Sequence, residues 1–301
     1  MADNLNPNFV DYRDMTGEEL KADRDARWEA MRKELEASGI PAQKLWSEAT
    51  PGFDPALGQA EPALYVWPIH PGRGLFILCA GGGFNLKSVN EAKPVAEYFH
   101  KAGLNAAILD YRVRPYDPQT CAIPDGLRAV RYVRTHAKDW GIPEDKIAIG
   151  GFSAGGMLSG SVATRYDAGD PEATDPIERV SSRPDAVLLL YGAFPLRVPA
   201  SGAGGYEIEA TRKAASIWPA ANLRPDSPPF FLFQTHRDDP RGTLDYARAC
   251  AERGIEFEIH AFREGPHGGG LYDGADEITP LQPHTAHWAE LAQEWLEGYG
   301  F

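Results

Sequence analysis

The residues best equipped for chemistry begin at a serine. Ser153 sits in Gly151-Phe152-Ser153-Ala154-Gly155, after the apolar run Lys146 to Gly150 and before a helix-compatible stretch. A turn this tight between strand and helix pushes the serine into strained backbone geometry. It also leaves no room for flanking side chains, which explains the bracketing glycines. A serine hydroxyl is a poor nucleophile at neutral pH, so it needs a base within hydrogen-bond reach and a third group to orient that base. The five-residue pattern alone also fits a passive glycine-rich turn; its place after a strand and the partners elsewhere in the chain decide between the two.

Of eight histidines, His267 in Gly265-Pro266-His267-Gly268-Gly269-Gly270 is the best placed, because it follows the apolar run Phe257 to Ala261 in a loop able to bring an imidazole over the turn. His236, His260, His284 and His287 compete less well: His260 lies within a strand run, and His284 and His287 open the last helix. Chains with this turn carry the orienting acid between the serine and the histidine. Thr235-His236-Arg237-Asp238-Asp239-Pro240 follows the run Phe230 to Gln234 and offers Asp238 first, Asp239 second, with Glu264 more distant. The oxyanion formed on attack needs donors, and losing one typically costs about 2.7–4 kcal/mol of barrier. Ala80-Gly81-Gly82-Gly83-Phe84 follows the run Leu75 to Cys79, and it assigns the hole to the amides of Gly82, Gly83 and Ala154. The loop lacks the Lys and Ser/Thr of a phosphate cradle.

These loops require elements to hold them. Apolar runs at Leu64 to Pro68, Leu75 to Cys79, Ala106 to Leu109, Ile147 to Gly150, Ala186 to Tyr191, Phe230 to Gln234 and Phe257 to Ala261 predict strands buried on both faces. Helix-compatible stretches lie between them at 90–101, 124–140, 155–166 and 243–253, with another at 284–298. Such alternation predicts a mostly parallel sheet covered on both sides, with its chemistry at the carboxyl ends of the strands. Ahead of it, Leu20, Trp28, Met31 and Leu35 fall near helical spacing, predicting an amphipathic helix over 16–38 capped by Asp14 or Thr16. The Pro- and Gly-bearing stretch from Ile40 to Glu61 reads as a surface connection. The domain organisation that follows is an N-terminal helical extension and linker over 1–61 and a catalytic domain over 62–301.

A net charge of −13 sets the surface against nucleic acid and anionic membranes. Cys79, Cys121 and Cys250 show no disulfide or zinc spacing and are expected to be free, buried thiols. The polar, acidic start and the lack of a membrane-length apolar run point to a cytoplasmic protein.

Several stretches together resemble the acetylxylan esterase and feruloyl esterase-like branch of the α/β-hydrolases, which are carbohydrate esterases. They are Cys79 to Phe84, Pro94 to Phe99, Asp110 to Tyr116, Ala129 to Arg134 with Trp140 to Ile142, Gly151 to Gly156, Arg183 to Asp185 and Glu264 to Gly268. The ending, His287-Trp288 through Trp295-Leu296 to Phe301, fits as well, and the likeness covers about residues 62–301. Ala80 stands where the group's oxyanion loop usually begins with His or Pro.

The resemblance implies an α/β-hydrolase fold and a serine esterase that removes short acyl groups, acetyl first, from xylan-type sugars without metal or organic cofactor. The substrate is then a small acylated sugar or related ester, and Trp218, Tyr206, Tyr116 and Tyr272 are candidates to stack on sugar faces. Dimer contacts through the N-terminal helix, making a homo-oligomer, are compatible with this reading. A prolyl-oligopeptidase-like peptidase uses the same turn but brings a large propeller domain. A non-catalytic binding protein on the same fold has no use for the serine, histidine and acid.

Overall fold

The computed structural model describes residues 6–10, 14–192 and 219–301. Eight strands form one sheet: β1 (Ala42–Lys44), β2 (Ala63–Val66), β3 (Leu75–Cys79), β4 (Asn105–Asp110), β5 (Ile147–Phe152), β6 (Ala186–Leu190), β7 (Phe230–Thr235) and β8 (Phe257–Phe262). Their order across the sheet is β1-β2-β4-β3-β5-β6-β7-β8. The pairs β1/β2 and β2/β4 are antiparallel, and every pair from β4 to β8 is parallel. From β2 through β7 every strand residue is buried. That two-sided burial is why the strands read as unbroken apolar runs rather than as alternating patterns.

Successive side chains of a strand serve opposite faces, and the core divides accordingly. Leu75, Ile77 and Cys79 of β3 pack with α3 (Ile123–Trp140), α4 (Ala154–Arg165) and α5 (Arg241–Glu252) through residues such as Val130, Leu158 and Cys250. Phe76 and Leu78 pack on the other face with α1 (Gly17–Ala37), α2 (Lys93–Lys101) and α7 (Trp288–Gly298), through Trp28, Phe99 and Trp288. The helix expected at the C-terminus is broken in two, with α6 (Pro283–Ala286) preceding α7. All three cysteines are free and buried, as expected. Among the described residues no helix is long and apolar enough to cross a membrane.

The N-terminal helix is capped by Thr16, whose hydroxyl accepts the Glu19 amide while the Glu19 carboxylate accepts the Thr16 amide. It is more than an amphipathic strut. Trp28 is 6% exposed and its indole Nε1–H donates to Asp110 at 3.1 Å. Lys87 bonds the same carboxylate and lies over the Trp28 ring. Lys21 reaches the Asn85 carbonyl, and Arg27 reaches Glu277.

The stretch from Ile40 to Glu61, expected to be a surface connection, instead contributes β1 to the sheet edge. Three residues, the half-buried Ala42 and Gln43 and the exposed Lys44, leave no apolar run to announce a strand.

Trp28→Ala is expected to lower the unfolding free energy by about 3–5 kcal/mol, the range for deleting a buried large aromatic. It also strips Asp110 of one donor. Urea denaturation followed by circular dichroism measures the effect.

Candidate active site

The turn between β5 and α4 holds Ser153 at φ 50°, ψ −118°, and the residue is 8% exposed. Its amide donates to Leu190 O at 3.1 Å, and its carbonyl accepts the Met157 amide at 3.0 Å. The bracketing glycines are required by space. A Cβ on Gly151 would stand 2.2 Å from the Cys79 carbonyl oxygen, and one on Gly155 would stand 2.0 Å from the same atom. The elbow is therefore pressed against the end of β3.

His267 comes from the loop beyond β8 and meets the serine: its Nε2 lies 2.8 Å from Ser153 Oγ. Its Nδ1 lies 2.6 Å from Asp238 Oδ2. Burial disfavours the imidazolium, but the hydrogen bond and charge of Asp238, aided by the charge of Glu91, hold the His267 pKa above its ordinary value. Asp238 ends a one-turn helix, His236–Asp238, directly after β7. Asp239 turns the other way, at φ 45°, and its carboxylate pairs with Arg241 at 2.6 Å. That partner holds the Asp239 carboxyl below its usual range.

The other candidates stand apart from this group. Glu264 pairs with Arg263 and Arg237. His260 faces Glu258, and the His287 ring contacts the His284 carbonyl.

Past β3, Gly82 and Gly83 take φ 131° and 61°. A Cβ on Gly82 would meet the Leu86 carbonyl oxygen at 2.2 Å. The Gly81 amide is already committed, donating to Glu91 Oε2 at 2.7 Å. The loops carrying Gly82, Gly83 and Ala154 meet beside the serine, as the register pairing Cys79 with Gly151 requires.

Glu91 and Tyr191 are residues that sequence reasoning missed. Glu91 is 2% exposed and takes the Tyr191 hydroxyl on Oε1 at 2.8 Å. Burial holds its carboxyl above the usual carboxylate range, against the smaller opposing pulls of Tyr191, the His267 charge, Gly81 and Arg24. The only hint in sequence is an acidic residue ten positions after Gly81, at the start of a helix.

Five non-glycine residues have positive φ among those described: Phe84, Ser153, Tyr191, Asp239 and Tyr272. One follows each of β3, β5, β6, β7 and β8, so the strain gathers along one rim of the sheet.

Of the aromatics named as candidates to stack on sugar, the two that are described belong to the core. Tyr116 is buried, with its hydroxyl bonded to the Asp54 backbone, and Tyr272 is fully buried, its hydroxyl donating to Pro266 O at 2.7 Å. Both are held as scaffold. Trp218 and Tyr206 lie outside the described residues.

A parallel sheet with a serine elbow after its fifth strand and a histidine after its last defines a class. The profile of the alpha/beta hydrolase fold matches residues 76–241, and the chain belongs to that family. Among particular relatives, it is 27% identical over 253 residues to endo-1,4-beta-xylanase B of Butyrivibrio fibrisolvens, covering 75% of this chain and 37% of that protein. It is 31% identical over 108 residues to the acetylxylan esterase of Xylanibacter ruminicola, covering 36% of this chain and 22% of that one. The chain thus spans well under half the length of these two curated relatives. Among solved structures, it resembles the acetyl ester-xyloside bifunctional hydrolase of Caldicellulosiruptor lactoaceticus, with TM-score 0.76 and 30% identity over 87% of this chain and 97% of that one.

Gly155→Ala should destabilise the fold by about 3 kcal/mol or more, at or beyond the top of the usual overpacking range, because the obstructing atom is backbone. Gly298→Ala, where a Cβ meets nothing within 4 Å, should be neutral or slightly stabilising. Thermal melts of the two variants check the contrast.

Proposed function

We propose that this chain is a serine carboxylic-ester hydrolase that removes short acyl groups, acetyl foremost, from xylan-type oligosaccharides. The observation that carries the reading is the unbroken contact from Asp238 through His267 to Ser153, at 2.6 and 2.8 Å.

Asp238 accepts the Nδ1 proton of His267 and leaves Nε2 free to take the serine proton. Ser153 Oγ then attacks the ester carbonyl. The amides of Gly82, Gly83 and Ala154 receive the oxyanion, and His267 returns its proton to the departing sugar oxygen. The acyl group remains on Ser153. Water, deprotonated by the same imidazole, attacks that ester and releases the acid, restoring the hydroxyl.

The acyl and sugar preference rests on the resemblance to xylan-linked relatives and on the acetyl ester-xyloside hydrolase of similar fold. The cytoplasmic location and the small-ester substrate belong to the same proposal.

Turnover of acetylated xylo-oligosaccharides, p-nitrophenyl acetate and a peptide amide tests it. Ser153→Ala should lose on the order of 10^3-fold or more in kcat. Undiminished hydrolysis by that variant defeats the reading, and preferential cleavage of the amide points to a peptidase instead.

Asp238→Asn should cost on the order of 10^3 to 10^4-fold in kcat, whereas Asp239→Asn should stay near wild type, since its carboxylate serves only Arg241. Collapse of the second variant alone reverses the choice of acid.

A base must be neutral to work, and the His267 pKa is held above 6.5. The acid limb of kcat/KM should therefore have its midpoint above 6.5 in a pH–rate profile.

A further inference from the structure

We infer that Glu91 is a positioning residue that sets both halves of the site at once, fixing the direction of the oxyanion loop and the seating of the His267 loop through one buried carboxylate. The inference rests on the hydrolytic roles given above to Ser153 and His267.

The carboxylate lies between two loops distant in sequence. Towards one, the Gly81 N–H donates to Oε2 at 2.7 Å. The carbonyl on the other side of that same peptide, Ala80 O, accepts the Tyr111 hydroxyl at 2.6 Å. A peptide is planar, so gripping its N–H and its C=O fixes the plane and with it the direction in which Gly82 and Gly83 leave. Towards the other loop, the Tyr191 hydroxyl donates to Oε1 at 2.8 Å and itself accepts the Gly270 N–H at 2.9 Å. Asn90, the residue before Glu91, donates directly to Gly268 O at 2.9 Å. Of the three glycines that follow His267, the first and the third are thus gripped.

The directions of these bonds matter. Tyr191 spends its lone pair on Gly270, so its own proton must go to Glu91, and burial raises its pKa well above the ordinary tyrosine value, keeping that proton in place. Both groups touching the carboxyl are therefore donors, which a carboxylate satisfies and a carboxamide cannot. Space is equally committed: a Cβ on Gly81 would fall 2.6 Å from Glu91 Oε2, and one on Gly270 would fall 2.4 Å from Asn90 O.

The charge also reaches the imidazole. The titratable groups facing Glu91 and His267 are Arg24 from α1, Tyr111 after β4, Tyr191 after β6 and Asp238 after β7. Tyr272, in the histidine loop itself, faces Tyr191. Removing the anion at 91 takes away one of the two carboxylates that favour the imidazolium.

The test uses Glu91→Gln, Glu91→Asp and Tyr191→Phe with p-nitrophenyl acetate, alongside fluorophosphonate labelling of Ser153 and thermal melts. Glu91→Gln should lose at least tenfold in kcat with KM within threefold, and the acid limb of kcat/KM should move to lower pH. Glu91→Asp keeps the charge at shorter reach, so it should return the limb towards its wild-type position while kcat stays reduced. Tyr191→Phe, which cuts the bond to Glu91 and the link to Gly270 together while leaving the carboxylate in place, should also lose at least tenfold in kcat.

A Glu91→Gln protein within twofold of wild-type kcat, or one slowed with its acid limb unmoved, overturns the inference and leaves the hydrolase reading standing. Should that variant not fold, Tyr191→Phe decides, and a kcat within twofold of wild type overturns it. If the folded wild type neither hydrolyses the ester nor labels at Ser153, the hydrolase reading has failed, and the inference falls with it.

Discussion

The site depends on how closely two stretches of backbone approach at the end of β3. The Cys79 carbonyl oxygen occupies the space that a side chain at either 151 or 155 would need. Gly156 and Gly192 touch in the same way on the other side, where a Cβ on Gly156 would stand 2.7 Å from the Gly192 Cα. The serine elbow is wedged between the turn after β3 and the turn after β6. Once wedged, it has the glycine loop on one flank and Tyr191 on the other, and the adjacency of the remaining parts follows from the strand order.

Charge is managed around this wedge by pairing each carboxyl, half-buried at Asp238 and fully buried at Glu91, with donors. Asp238 faces His267, while Glu91 is met by two hydrogen bonds and by the field of Arg24. Arg24 is itself 6% exposed and bonded to Asp23, so α1 supplies part of the electrostatic setting of the site. The same helix touches the oxyanion loop through Lys21 and the region after the histidine loop through Arg27 and Glu277. A buried anion without such partners would neutralise instead, because the penalty for an unpaired charge in a low-dielectric interior is large.

Most of the fold was legible because two-sided burial writes itself into sequence as apolar runs; six strands, β2 through β7, announced themselves in this way, whereas β8, also expected to be buried on both faces, is largely half-buried. The elbow, the glycine loop and His267 were legible for a related reason: each needs rare local geometry that few residue types permit. Asp238 was put ahead of Asp239 from sequence without its physical reason, which lies in the backbone direction at 239 and in an arginine two positions on. β1 was hidden by its brevity and its half-buried and exposed residues. Glu91 was hidden because a charged residue near a helix start ordinarily means solvent, and only the tertiary fold buries it. Tyr116 and Tyr272, named as stacking candidates although aromatics near a cleft are more often core, are core: their hydroxyls are tied to backbone inside the fold.

The positive-φ residues along the rim set chemistry against conformational ease. A chain relaxes such strain most simply by placing glycine there, which adopts those torsions freely. At Ser153 that exchange would delete the hydroxyl, and at Tyr191 it would cut the link to the histidine loop. Asp239 differs, since its carboxylate reaches only a neighbour on the surface. Drift over generations towards a sturdier molecule therefore has little freedom at these two points of the rim. Gains in toughness must accumulate elsewhere, in the helices and the far end of the sheet.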